Sequence, residues 1–234
     1  MLNYTGELEK MVKTRTSELR KALAQEKEMH EMKRTFVSMA SHEFRTPLTS
    51  ILSSTSLIAR YKEAGLLDKQ DKHIHRIESA VSTLTEILDD FLSLDKLDQG
   101  RVIPNFELLK LKEITESIIE ELDPMRKAGQ HIIYTHLSDP LQEVLLDKNI
   151  LRNMYYNLLS NAIKYSETDI EVVTEIKDQK INVTVTDQGV GIPEEAKRHM
   201  FTRFYRAGNV VNTQGTGLGL TIVKHFVEII GGKI

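Results

Sequence analysis

Apolar positions recur along the first sixty residues with the period of an α-helix. The pattern is continuous from about Gly6 to Arg60, and Pro47 is the one proline within it. Spacings typical of a coiled-coil seam join Leu8, Val12, Leu19, Ala22, Met29, Phe36 and Ala40. Polar residues interrupt the seam at Arg15, Glu26 and Lys33. The pattern predicts one long helix that begins as a dimeric coiled coil, with an imperfect coil or a solvated single helix as the alternative.

The apolar stripe of this helix continues beyond Ala40 through Phe44, Leu48 and Ile51. His42 is two positions from both Ala40 and Phe44, which turns it toward the opposite, exposed face. A neutral imidazole is a competent nucleophile near pH 7. His42 is therefore a candidate phosphoryl acceptor, and a surface histidine without a role is the alternative.

Three neighbours of His42 extend this interpretation. Glu43 could accept a hydrogen bond from one ring nitrogen and leave the other to attack, or could itself take up the proton. Thr46 is one turn away, where its hydroxyl could position a water for hydrolysis of a phosphoryl group. Pro47 removes a backbone hydrogen bond and predicts a bend near the histidine. The candidate catalytic residues are His42, Glu43 and Thr46.

A second helix follows a turn-prone region at Gly65. Its apolar stripe, again at spacings of three and four, is Ile74, Ile77, Val81, Leu84, Leu88 and Phe91. Gly100 and Pro104 close it. The two helices predict an antiparallel hairpin, and two such hairpins would bury their stripes in a four-helix bundle of a homodimer.

A second pattern, mixed in helix and strand, follows this hairpin. An amphipathic stretch at 111–122, an extended segment at 132–134 and a helix at about 148–164 come first. β-Branched residues then alternate at 170–176 and 181–186, which predicts an antiparallel hairpin with one face on a core. Helices on one side of a mainly antiparallel sheet predict a two-layer α/β sandwich.

Composition narrows the class of protein. The 234 residues, 40% hydrophobic and 28% charged, suffice for two modest domains. A formal net charge of -3 gives no reason to expect nucleic acid as a partner, and the absence of cysteine excludes disulfides and thiolate metal sites. No apolar run reaches the roughly 18 residues of a membrane span and no signal peptide begins the chain. We expect a cytoplasmic location for this part, with a membrane anchor open for a longer protein.

One face of the helix at 148–164 carries Asn157, Asn161 and Lys164. Amide oxygens suit a hard cation, and Mg²⁺ needs few protein ligands because it binds largely through substrate phosphates. We expect Asn157 and Asn161 to hold Mg²⁺ and Lys164 to neutralise phosphate charge. Amides bonded to the nearby backbone are the alternative.

Two glycine-rich segments complete a candidate nucleotide site. Asp187, Gly189 and Gly191 follow a strand directly, where the carboxylate could accept from the exocyclic amine of adenine. The second segment, from Gly215 to Leu220, opens a helix at 221–230 and predicts a phosphate cradle. We expect no dinucleotide fold, because a βαβ unit with an acidic residue about 20 positions on does not fit in the 15 residues that follow Gly219 here. The candidate nucleotide-binding residues are Asn157, Asn161, Lys164, Tyr165, Asp187, Gly189, Gly191, Gly215, Gly217, Gly219 and Leu220.

The segment between these glycines is also a candidate for function. The polar stretch 208–214 is typical of a mobile lid. Arg203 and Arg206 could touch the γ-phosphate or the histidine domain during transfer, and solvated surface arginines are the alternative.

Five motifs therefore stand in order along the chain: SHEFRTPL, NLLSNAIKY, DQGVGIP, FTRFYRA and GTGLGL. In this order they resemble the motif boxes of bacterial two-component sensor histidine kinases, over roughly residues 30 to 234. The resemblance implies a homodimer, a GHKL-type ATP-binding domain and transfer of the phosphoryl group to an aspartate of a response regulator. By this resemblance His42 is the phosphoacceptor, Glu43 the adjacent acid and Thr46 the residue linked to phosphatase activity. Asn157 and Asn161 are the asparagines on the magnesium side, and Asp187 contacts adenine.

We accordingly expect an α+β multidomain chain: a helical-hairpin dimerisation domain followed by a two-layer α/β sandwich that binds ATP. Residues 1–30 would be a signalling helix, 31–100 the dimerisation and phosphotransfer domain, and 104–234 the ATP-binding domain. Kinases of this family usually carry a sensor module and continue into further strands after the position of Ile234. We therefore expect an upstream sensor absent from this chain and a truncated ATP-binding domain.

Two other classes of protein compete with this interpretation. A different ATPase with the same type of pocket would turn over ATP without labelling the protein. A non-catalytic dimeric scaffold would bind no ATP or transfer no phosphoryl group.

Overall fold

The computed structural model describes residues 2–63, 66–210, 213 and 215–234. The side chains of Met29, Lys33 and Phe36 in the predicted seam, and the predicted turn at Gly65, lie outside this described part. Two compact units are present, Met1–Ala80 and Val81–Ile234. Among the described helices, none combines the length and the apolar character that crossing a bilayer requires.

Helix α1 spans Leu2–Glu63 without interruption, which confirms the predicted long helix. Hydroxyl side chains along it, such as those of Thr16 and Ser41, donate to the carbonyl four residues earlier and do not break it. The seam positions Leu8 and Leu19 are 62% and 75% exposed in the single chain. The dimeric coiled coil and the bend at Pro47 both stay predictions.

The first unit pairs α1 with the start of α2, which spans Leu67–Asp98. Buried His73 lies 3.4 Å from the Ser54 hydroxyl through Nδ1, and its ring stacks on Tyr61 at 5.5 Å. Lys69, earlier in α2, lies over the same tyrosine ring. Residues later in α2 contact residues earlier in α1, which confirms the antiparallel hairpin.

The apolar stripe predicted for α2 proves to belong to two faces of the helix. Ile77, Leu84 and Phe91 are half-buried, in register with a buried row formed by His73, Ala80, Ile87 and Leu94. Ile74, Val81 and Leu88 are 39%, 48% and 50% exposed. A spacing of three and four tolerates a wide stripe, so periodicity alone did not separate the face packed within one chain from the face left outside.

The second unit alternates strands and helices after α2. Its elements are β1 Glu107–Lys110, α3 Leu111–Leu122, β2 Ile132–His136, β3 Glu143–Leu146, α4 Lys148–Tyr165, β4 Ile170–Lys177, β5 Lys180–Thr186, α5 Glu194–Lys197 and α6 Gly219–Ile229. Gly100 ends α2 with φ +60°, and the Arg101 N–H donates to the carbonyl of Lys96, as the predicted glycine stop requires.

Two sheets form in this unit. One has the order β2-β4-β5, with β2 parallel and β5 antiparallel to β4, and the other pairs β1 with β3 antiparallel. The predicted hairpin β4–β5 is confirmed, and its turn places Asp178 and Gln179 at φ +51° and +59°. The four-residue strands β1 and β3 carry too little alternation to be identified from the sequence.

The core lies between the three-stranded sheet and helices α3 and α4. Leu111, Ile118 and Leu159 are at most 2% exposed and pack with Ile170 and Val172 of β4. Each such side chain contributes roughly 1.5–3 kcal/mol when it leaves water. This packing fixes which face of α4 looks outward, and hence where its polar residues stand.

Candidate functional site

His42 stands on the solvent side of α1. Its side chain is 75% exposed, whereas that of Glu43 is 10% exposed. Glu43 Oε1 lies 3.5 Å from His42 Nδ1. A carboxylate at this distance favours the proton on Nδ1, which leaves Nε2 with an unshared electron pair. The geometry brings together the exposed imidazole and the adjacent acid as the sequence predicted.

Thr46 lies one turn beyond His42, also as predicted. Its exposed hydroxyl donates toward the His42 carbonyl at 3.5 Å, the outer limit of a hydrogen bond. A contact this weak leaves the hydroxyl able to turn toward another partner. The helix continues through Pro47, which is buried, whereas His42 five positions earlier is exposed.

Helix α4 is capped at its start by Asp147, which accepts from the Ile150 N–H at 2.9 Å. Its apolar side packs into the core, with Tyr155 only 1% exposed. The Tyr155 hydroxyl meets Thr115 Oγ1 at 3.1 Å, and burial raises the pKa of this phenol. A helix fixed so firmly on one side presents Asn157 and Asn161 on another.

The glycine segment 215–220 packs against this polar face of α4. A Cβ added at Gly219 would lie 2.7 Å from Asn157 Oδ1 and 3.6 Å from Asn161 Nδ2. A Cβ added at Gly215 would lie 2.8 Å from Lys164 Nζ. The backbone can approach α4 this closely because neither position carries a side chain. The structure therefore brings the predicted cation ligands and the predicted phosphate cradle together.

The nitrogen and the oxygen of the Asn157 side-chain amide face different neighbours. Its Nδ2 donates to the Asn153 carbonyl at 2.9 Å, which is the alternative that the sequence left open. Its Oδ1 is the atom nearest to a Cβ built on Gly219. An amide whose nitrogen is bonded to its own helix offers its oxygen to the glycine side, and an oxygen is what a magnesium ion takes.

Helix α6 begins directly after the glycine segment. Gly217 has φ +68°, and its carbonyl accepts from the Phe204 N–H at 3.1 Å, so neighbouring segments hold the turn. α6 starts at Gly219 with Leu220 half-buried in its first turn. The first N–H groups of a helix lack partners within it and attract anions. This end of α6 fits the predicted phosphate cradle.

The turn after β5 meets the other end of α4. The Gly189 N–H donates to Asp187 Oδ1 at 2.8 Å, and a Cβ at Gly189 would lie 2.5 Å from the Tyr165 carbonyl oxygen. Gly191 adopts φ +69°, which favours glycine. Asp187 is thus placed beside α4, as the nucleotide-site prediction requires.

Tyr165 closes the same end of the site. The Lys164 ammonium lies 5.2 Å from the centre of its ring. Burial raises the pKa of the Tyr165 phenol, and Arg206 acts in the opposite direction. A neutral phenol beside a lysine suits the vicinity of an anionic ligand.

The two arginines predicted for transfer have different partners. Arg203 forms two hydrogen bonds to the Asp98 carboxylate, at 2.7 and 2.5 Å, at the end of α2. Arg206 donates to the carbonyls of Val210 and Thr213. The predicted lid covers 208–214, of which 211, 212 and 214 lie outside the described residues, and Asn209 within it donates to the Gly191 carbonyl at 3.0 Å. Neither arginine is a purely solvated side chain.

Sequence reasoning missed two contacts of the site. Lys127 donates to the carbonyls of Lys164 and Ser166 at 3.1 and 2.8 Å, which fixes the end of α4. Asp90 of α2 accepts from the Thr216 hydroxyl at 2.7 Å. Both contacts join residues far apart in the chain, and no local motif marks Lys127 or Asp90.

A helical hairpin with an exposed histidine, joined in one chain to an α/β domain with a phosphate cradle, defines a phosphoacceptor module with an ATPase module. Residues 32–100 match the His Kinase A (phospho-acceptor) domain, and residues 146–234 match the histidine kinase-, DNA gyrase B-, and HSP90-like ATPase family. The chain therefore carries the two domains found together in histidine kinases, and the recognition and fold class predicted from its motifs are confirmed.

Relatives and solved structures agree with this family. The circadian input-output histidine kinase CikA of Synechococcus elongatus is 30% identical over 99% of this chain and 32% of CikA. The sensor histidine kinase AruS of Pseudomonas aeruginosa is 31% identical over 97% of this chain and 23% of AruS. The histidine kinase AdeS of Acinetobacter baumannii has the same fold, with a TM-score of 0.60 at 22% identity over 80% of this chain and 86% of AdeS. The chain spans a third or less of the length of the first two relatives.

Proposed function

We propose that this chain transfers the γ-phosphoryl group of ATP to His42 and that the group then passes to an aspartate of a response regulator. The packing of the glycine segment against Asn157, Asn161 and Lys164 carries the proposal. The hairpin supplies the acceptor histidine, and the phosphate cradle supplies a site for the nucleotide that would donate the phosphoryl group. Phosphatase activity toward the regulator, through Thr46, belongs to the same proposal.

The site residues divide between the ends of the nucleotide. Asn157 and Asn161 supply oxygen ligands for Mg²⁺, and Lys164 with the start of α6 neutralises the phosphates. Asp187 accepts from the adenine amine, and Gly189, Gly191 and Tyr165 form the surroundings of the base. Bound Mg²⁺ would offset charge on the β- and γ-phosphates during transfer.

His42 and Glu43 carry the chemistry on the acceptor side. With Nδ1–H beside the carboxylate, Nε2 attacks the γ-phosphorus; a phosphorus–nitrogen bond forms and the bond to the bridging oxygen breaks, so that ADP leaves. The positive charge that develops on the ring is stabilised by Glu43 Oε1, 3.5 Å away, which then takes the Nδ1 proton. The 10% exposure of Glu43 strengthens this interaction because little water screens it.

Partners follow from the same proposal. The exposed row Ile74, Val81 and Leu88 on α2 supports a homodimer, since an apolar row of this length favours burial against a second chain. A receiver domain of a response regulator must reach the exposed His42. An upstream sensor module would act through α1, whose 62 residues span about 90 Å at roughly 1.5 Å each.

A labelling experiment tests the proposal. The parent chain, His42→Gln and Asp187→Asn are incubated with magnesium and γ-labelled ATP, and protein-bound label is tested for acid lability and alkali stability. We expect such label on the parent and on neither variant. Steady ATP turnover without bound label would support the different ATPase, and label that survives in His42→Gln would contradict the phosphoacceptor assignment.

A further inference from the structure

The glycine segment is bonded to a carboxylate within the second unit. Thr216, the second residue of the segment, donates its hydroxyl proton to Asp90 Oδ2 at 2.7 Å. The same hydroxyl accepts from the Leu218 N–H at 3.2 Å, just before α6 begins. Asp90 thus reaches, through one hydroxyl, the backbone that would bind phosphate.

Burial and neighbouring charges both act on the same carboxylate. Burial raises the pKa of Asp90 to about 6; the hydrogen bond from Thr216 and the Lys164 ammonium act in the opposite direction, while Glu86 and Asp89 raise it further. Above that pH the side chain is an anion partly removed from water. Its partner, the Thr216 hydroxyl, is a donor of the kind that phosphate oxygens require.

Two further contacts hold the end of α2 near the glycine segment. Leu94 and Leu97 pack in one buried cluster with Leu218, Ile222 and Phe226. Arg203, whose side chain is 26% exposed, donates two hydrogen bonds to the Asp98 carboxylate, one turn after Leu94. The part of α2 that carries Asp90 is therefore held by packing and by the Arg203–Asp98 ion pair. Asp90 is not a mobile surface carboxylate.

We propose that Asp90 is an internal competitor of the nucleotide: its carboxylate takes the place of a phosphate oxygen at the Thr216 hydroxyl. This inference rests on the proposed function of the glycine segment. Thr216 has one proton to donate, and a second anion near Asp90 is repelled. Triphosphate binding and the Asp90 contact thus exclude each other.

Competition of this kind couples α2 to the nucleotide site. Whatever holds α2 against the glycine segment lowers affinity for ATP, and bound ATP by the same factor favours release of α2. Because α2 is continuous from Leu67 to Asp98, it is the element through which a change at its first turns would reach Asp90.

Nucleotide affinity tests the proposal with a matched control. Calorimetry measures binding of Mg²⁺–ADP and of Mg²⁺–ATP to the parent, Asp90→Asn, Asp90→Ala and Asp89→Asn. Asp89 is the exposed neighbour on the same helix, so its variant removes the same charge without the Thr216 contact. We expect Asp90→Ala to bind about tenfold more tightly than the parent, within the usual range of coupling between sites. Asp89→Asn should match the parent.

Equal or weaker affinity in both Asp90 variants would overturn the competition. A second readout needs no nucleotide: amide hydrogen exchange over residues 215–220 should be faster in Asp90→Ala than in the parent and unchanged in Asp89→Asn. Unchanged exchange in Asp90→Ala would also overturn it. If Asp90→Ala binds the nucleotide more tightly but His42 of the parent chain is not labelled by ATP, the kinase proposal is contradicted and the competition is supported.

Discussion

At the scale of single residues, the site depends on groups that differ sharply in exposure. His42 meets solvent while Glu43 beside it does not, although the two are adjacent in sequence. An exposed nucleophile next to a sheltered carboxylate is suited to attack on a partner and to removal of a proton in turn. Thr46 stands apart from this pair, with only a weak bond to the His42 carbonyl.

Replacement of Glu43 by glutamine tests the role of this carboxylate. Gln keeps the shape of the buried side chain but cannot take up the Nδ1 proton. We expect the initial rate of His42 labelling to fall by roughly 10²–10⁴-fold, the usual effect of losing a positioned base. Thr49→Ala is the control: this exposed threonine of the same helix donates to the Arg45 carbonyl and has no proposed role, so the variant should label at the parent rate. A Glu43→Gln variant as fast as the parent would contradict the assignment.

The placement of the candidate site residues on their helices and turns was largely predictable, and their tertiary partners were not. The sequence placed Asn157, Asn161 and Lys164 on one helical face because their spacing follows the α-helical period. It could not predict Asp90 at Thr216, since the two are 126 positions apart and nothing in the stretch around Asp90 distinguishes it from a solvated acid. Motifs identify local chemistry, whereas the contact arises from packing of whole elements.

At the scale of elements, the long helices and the β4–β5 hairpin followed directly from periodicity. Helix α3 has the predicted bounds, 111–122, because its apolar spacing is strong over its whole length. β1 and β3 have four residues each, too few for alternation to separate them from loops. The division of the α2 stripe into two faces required the packing within the chain.

The exposed face of α2 gives a prediction about assembly. Leu88 is 50% exposed, on the row that includes Val81 and Ile74. A charge there would have to be buried in a dimer interface, so we expect Leu88→Lys to convert a dimer into monomer. Ser82→Lys places the same charge on a different, polar face of α2 and should leave the dimer intact.

Sedimentation velocity over a range of protein concentrations measures this outcome. Both variants should keep the helical circular dichroism of the parent, because neither position is buried within one chain. A Leu88→Lys variant that sediments as the parent dimer would show that this face lies outside the interface.

At the scale of the whole molecule, the chain contains a phosphoacceptor hairpin and an ATPase domain of the sensor histidine kinases. The boundaries predicted at 1–30, 31–100 and 104–234 stay predictions, and the structure groups residues 81–98 of α2 with the α/β elements. Helix α2 therefore belongs both to the hairpin and to the surroundings of the glycine segment. We expect a signal carried by the hairpin to reach the proposed nucleotide site through α2.

The most direct test of the account is the position of the phosphoryl group. Trypsin releases residues 35–45 as one peptide, which contains His42 as its single histidine. After incubation with Mg²⁺ and ATP and digestion at alkaline pH, mass spectrometry with fragmentation should find one phosphoryl group on His42, lost after brief acid treatment. A phosphoryl group on a serine or threonine of this peptide, or none on it while ATP is consumed, would contradict the account.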